Sequence, residues 1–135
     1  MKKYIVASLI LCLPHLCLAG DWYFVGSGKD KSEVNTEILE VKLWAFLAAD
    51  FKRQFRPKEN YKFQYKFVNR NEIYINALCS SKSERADDFR LSPEFTLEQL
   101  RSNFITISDG GSCYFSVKFN PEKGTFSDLW VNGDA

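Results

Sequence analysis

The chain has 135 residues, 45% of them hydrophobic and 16% aromatic, with a formal net charge of +1. That length allows one domain with enough apolar material for a core. The near-neutral charge offers no basic excess to phosphate backbones, so nucleic acid is not an expected partner. Beyond the N-terminus nothing approaches the length of a membrane span.

Residues 1–19 read as a secretory signal peptide. Lys2 and Lys3 form a basic start, Ile5 to Leu13 an apolar run, and Cys17-Leu18-Ala19 a small-x-small cleavage site. His15 and Leu16, ahead of Cys17, are bulkier than a lipoprotein signal uses, so the expected product is soluble, periplasmic or extracellular, and bacterial in style. Residues 20–135 then make a single domain. Cleavage after Ala19 removes His15, the only histidine, together with Cys12 and Cys17.

Trp22 to Val25 is a short aromatic strand, turned by Gly26-Ser27-Gly28. From Val34 to Phe55 the apolar residues follow a helical period. Val34, Ile38, Val41, Ala45 and Ala48 form one row, Leu43, Leu47 and Phe51 a second, with Trp44 and Phe55 alongside. Ser32 is a candidate cap, Glu33, Glu37 and Glu40 and then Lys52, Arg53 and Arg56 complement the helix dipole, and Pro57 is the expected stop.

Tyr61 to Val68 alternates, with Tyr61, Phe63, Tyr65 and Phe67 inward and Lys62, Gln64 and Lys66 outward. Asn69-Arg70-Asn71 is a tight turn into a strand from Glu72 to Cys79. Residues 80–88 form a polar excursion and Phe89 to Leu91 a brief extended piece. Thr96 to Gln99 has capping-box spacing for a short helix through Ser102. Phe104 to Ile107 is apolar enough to be buried, and Asp109-Gly110-Gly111 turns the chain. Ser112 to Phe119 follows as a strand, with Cys113, Phe115, Val117 and Phe119 inward and Tyr114 outward. Asn120 to Gly124 is a turn, and Thr125 to Val131 pairs back, Phe126 and Trp130 sharing one face and Leu129 and Val131 the other.

The fold class is therefore α+β: a long helix packed against a curled antiparallel sheet of four or five strands, in the order β-α-β-β-β-β. Cys79 and Cys113 sit at the ends of two strands and, in an oxidising compartment with no third cysteine, should form a disulfide enclosing residues 80–112.

This order resembles that of cystatin-like proteins over residues 22–131, where an N-terminal strand and long helix precede four antiparallel strands. The inhibitory motifs of the cystatin family are absent. Its Gln-x-Val-x-Gly loop is replaced by Val68-Asn69-Arg70-Asn71-Glu72, and Asn120 to Gly124 has Pro121 without the family's tryptophan. The resemblance implies a topology, and by analogy a wedge of hairpin tips entering a partner's cleft. It does not imply cysteine-protease inhibition.

Chemistry is constrained by what the chain lacks. Without histidine there is no Ser-His-Asp or Cys-His pair and no ordinary zinc site, and bridged cysteines supply no thiolate. The acids Glu72, Asp87, Asp88 and Asp109 read better as loop charges than as a catalytic or calcium-binding set. No cofactor is implied, and an enzyme is the least expected class.

Binding is the default. The candidate partner-binding residues are Arg70, Glu122 and Lys123 at the hairpin tips, Tyr74 and Tyr114 on the outer face, Trp22 and Trp130 on the terminal strands, and Arg85, Asp87, Asp88 and Arg90 in the disulfide-closed segment. Against these stand core packing for the tryptophans, sheet pairing for the tyrosines and plain solvation for the charges. The leading expectation is a secreted protein that binds another secreted or periplasmic protein, such as an inhibitor or immunity-type protein blocking a hydrolase. The alternatives are a carrier of a small apolar ligand between helix and sheet, or an envelope assembly component that self-associates.

Overall fold

The computed structural model describes residues 20–26, 34–50, 52–79 and 95–133. The expected signal peptide, Ser32, Phe51 and the 80–94 segment, including Phe89 to Leu91, lie outside them. In chain order the elements are β1 (Asp21–Phe24), α1 (Thr36–Ala48), β2 (Tyr61–Asn69), β3 (Glu72–Cys79), α2 (Leu97–Ser102), β4 (Tyr114–Asn120) and β5 (Thr125–Val131). They form an α+β fold with one five-stranded sheet in the order β1-β2-β3-β4-β5.

The sheet is mixed where a wholly antiparallel one was expected. β2 to β5 are joined by hairpins or an excursion and run antiparallel, but β1 pairs parallel to β2, with Trp22 opposite Phe63. The cause is the crossover through α1, which carries the chain back to the end of the sheet where β1 began, so that β2 sets out in the same direction.

α1 covers one face, and it is shorter than the periodicity suggested. Asn35, not Ser32, caps it by accepting the Ile38 N–H at 3.1 Å. It ends at Ala48, well before Pro57. There Asp50 takes over the backbone: its carboxylate accepts from Lys52 N–H and from the Arg53 guanidinium, at 3.1 and 3.2 Å, favouring a turn over another helical one. The buried stripe is also different. Leu39, Leu43 and Leu47, at intervals of four, pack on the sheet with Glu40 beside them, whereas Ala45 and Ala48 are exposed and Ile38 and Val41 are more than half exposed. Apolar residues surround most of this helix, so their period alone does not choose a face.

Against the stripe lie Tyr61, Phe63, Tyr65, Phe115, Val117 and Phe119, from the inward sets expected for β2 and β4, together with Ile73, Ile75 and Ala77 of β3. Cys79 and Cys113 are bonded, with Cα atoms 4.9 Å apart. Thr96 and Gln99 form the expected capping box on α2.

The parity of β5 differs from expectation. The register shifts between Ser116 and Lys118, and Asp128 adopts a left-handed backbone (φ 52°). This β-bulge flips the alternation, so Phe126 stacks on Phe46 while Leu129 and Val131 also join the core, and Trp130 turns out. Lys118 bridges Glu72 and Asp128 at 3.3 and 3.2 Å, tying the bulge to β3 and β4.

The outer face is partly covered. α2 and residues 103–107 lie over it, held by Gln64. Its amide donates to the Leu100 and Asn103 carbonyls (2.7 and 2.8 Å) and accepts from Asn76 and from Ile105 N–H (3.0 and 2.9 Å). Asn76 also donates to the Ile105 carbonyl. Leu100 is buried, and Phe104 packs edge-on against Tyr74 with Lys66 over its ring.

Tyr61 links the layers, its buried hydroxyl donating to the Ser112 carbonyl and accepting from Arg56 N–H. Burial pushes its pKa up to about 12, and burial also raises Tyr65 and Tyr114. A phenol whose folded pKa is raised holds its proton when the unfolded chain has lost it. Its contribution is therefore complete below pH 10 and lost as the pH climbs from 10 toward 12, by about 2 kcal/mol for Tyr61. Urea unfolding across this range should show that decline, and Tyr61→Phe should make its slope shallower.

Candidate binding site at the hairpin tips

Both hairpin tips lie at one end of the sheet. In the first, Asn69 accepts from Asn71 N–H at 2.9 Å, leaving Arg70 at the apex. In the second, the Asn120 side chain accepts from Lys123 N–H and its carbonyl from Gly124 N–H, with Gly124 at φ +66°, where a side chain would be strained.

Between these tips and the first half of α1 runs a groove of about 540 Å³. Its walls are apolar: Val34, Ile38 and Leu39 from the helix side, Phe67, Ile73 and Phe119 from the sheet, and Pro121 from the second tip. Lys42 and Arg70 also line it. The Lys42 ammonium lies 5.9 Å from the centre of the Phe119 ring, and neither cation forms a salt bridge with a described residue. Ile38 contributes to the wall while 54% exposed, and Val41, 52% exposed, extends the apolar surface of the helix. An apolar trough with cations at its edge suits an apolar group that carries or adjoins a negative charge.

Of the residues singled out in the sequence, Arg70 lines this groove, and Glu122 and Lys123 are exposed on the second tip beside it. The others are elsewhere. Trp22 stacks on Phe63 with ring centres 4.4 Å apart and donates its indole N–H to Glu40, a packing role. Tyr114 is on the expected face but buried, and Tyr74 is half-buried under Phe104, because α2 and its extension cover that face. Trp130 is 69% exposed on the edge strand β5, next to a cleft lined by Tyr74, Phe104, Ile105 and Ser116. Arg85, Asp87, Asp88 and Arg90 lie outside the described residues.

Ile38, Lys42, Phe67 and Pro121 were not singled out for the site. The available signal was an excess of apolar residues in α1 over what one face can bury.

At the opposite end Lys52, Arg53, Arg56 and Ser112 line a polar cleft of about 680 Å³, where Asp50 partly neutralises Arg53. Glu72 is engaged by Lys118 and Asp109 is exposed. Among the described residues no three His, Cys, Asp or Glu side chains gather, and no helix is long and apolar enough to cross a membrane. No protein-family model, curated protein or solved structure matches this chain.

Proposed function

We propose that this chain is a secreted, non-enzymatic binding domain that engages another protein through the hairpin-tip groove, as an inhibitor or immunity-type protein that blocks a hydrolase. The observation that carries this reading is the convergence of two hydrogen-bonded turns, a half-exposed isoleucine and two cations on one apolar trough. The occupant is a protruding segment of the partner with an apolar side chain flanked by an acidic residue. The side chain fills the trough, and the acid meets Lys42 and Arg70. Blocking is then steric and needs no chemistry from this chain. The cystatin-like order supports a wedge of loops by analogy alone.

A second reading uses the same trough. It lies between helix and sheet, so an anionic amphiphile such as a fatty acid would place its chain on Ile38 and Phe119 and its carboxylate at Lys42.

The test is capture from envelope extract with the exported protein as bait, repeated with Ile38→Asp and with Lys42→Glu plus Arg70→Glu. The expected result is a one-to-one partner whose affinity falls about 30-fold or more in each variant, since central apolar and charged contacts each carry about 2 kcal/mol. Retained binding in both variants would move the interface away from the groove. A co-purified amphiphile, lost in the same variants and without a protein partner, would favour the carrier.

A further inference from the structure

Glu40 is the one acidic side chain buried in the described core, 4% exposed on the same face of α1 as Leu39, Leu43 and Leu47. A carboxylate there loses its hydration, and retaining it requires compensating partners. Its partners are the Trp22 indole N–H at 2.9 Å and the backbone nitrogen of Gly20 at 3.2 Å. Both are neutral donors, and no lysine or arginine among the described residues forms a salt bridge with it.

The place occupied by Gly20 admits no side chain. A Cβ there would stand 2.5 and 2.8 Å from the Phe63 ring and 3.2 Å from the Tyr61 carbonyl. The residue just before it ends the small-x-small sequence Cys17-Leu18-Ala19.

We propose that Glu40 is a receptor for the α-ammonium group created by cleavage between Ala19 and Gly20. Water, delivered by a signal peptidase, breaks the amide bond. Ala19 leaves with the new carboxylate, and Gly20 keeps the nitrogen, which takes up a proton at neutral pH. A neutral amide N–H beside a buried carboxylate thereby becomes a cation, and a one-sided burial becomes a hydrogen-bonded ion pair fixing β1 to α1. The uncut precursor lacks this pair, so its folded state is the weaker one while it awaits export. The inference rests on the secretory reading of residues 1–19 and is independent of partner binding.

The test expresses the full chain with export, alongside a form carrying two extra residues between Ala19 and Gly20, each with and without Glu40→Gln. Intact mass should place the exported wild-type start at Gly20; a start elsewhere overturns the proposal. The displaced amine should lower Tm by about 5 °C. Glu40→Gln should lower Tm by a similar amount in the wild-type product and leave the displaced form unchanged or raised. An equal effect of Glu40→Gln in both backgrounds overturns the pairing. Should that variant not fold, acylation of the α-amine decides: the wild-type amine should react at least tenfold more slowly than the displaced one, and equal rates overturn the pairing.

Discussion

Gln64→Ala should destabilise the protein by about 3–4 kcal/mol and free residues 95–107 from the outer face of the sheet. A glutamine amide offers two donors and two acceptor sites, and all four are used here, on Leu100, Asn103, Asn76 and Ile105. Truncation strands the Leu100 and Asn103 carbonyls and the Ile105 N–H beside a hole that was fully buried. Each stranded group costs about 1–3 kcal/mol, and water reaching exposed Asn103 offsets part of the sum. Gln64→Leu restores volume without the bonds and should recover little of the loss. Urea unfolding gives the magnitude, and amide exchange at Leu100 and Ile105 gives the place, since both should exchange faster than the centre of β3. A loss under 1 kcal/mol would show that packing by Leu100 and Phe104, not the amide, holds this layer.

Reduction of Cys79–Cys113, or their joint replacement by alanine, should cost about 4 kcal/mol. The half-cystines are 34 positions apart, and closing a loop of that size in the unfolded chain is worth about that much. Both are buried, so alanine also forfeits some packing. Unfolding with and without a reductant measures the bond, and an unchanged midpoint would mean that the sheet alone orders the ends of the excursion. Since the groove lies at the hairpin tips, partner binding by the reduced but still folded protein should be unchanged.

Much of this architecture was legible locally. Tyr61, Phe63 and Tyr65 sit at every second position and all three are buried, and the turn at Asn120 to Gly124 and the Thr96 capping box follow from residues within one turn of the chain. Cys79 and Cys113 could be paired because the expected mature chain offers no other choice. What escaped depends on distant partners. Gln64 shares the outward face of its strand with Lys62 and Lys66, and nothing near it in the chain foretells bonds to carbonyls as much as 39 positions away. The parallel pairing of β1 needs the crossover, and the bulge at Asp128 needs a left-handed residue that aspartate tolerates without advertising. The groove was half visible. Arg70 stands out in its turn, whereas Ile38 and Val41 share the helical period of core residues although the core takes the leucine stripe.

The pairing of β3 with β4 sets Leu78 opposite Tyr114, which makes Cys79 and Cys113 the next residues in line at that end. Sliding one strand by a single position would send one sulfur to the far side of the sheet, beyond reach of the other. Oxidation therefore proofreads alignment. In an oxidising compartment a correctly zipped chain would consume both thiols, whereas a slipped one would leave two open to thiol exchange.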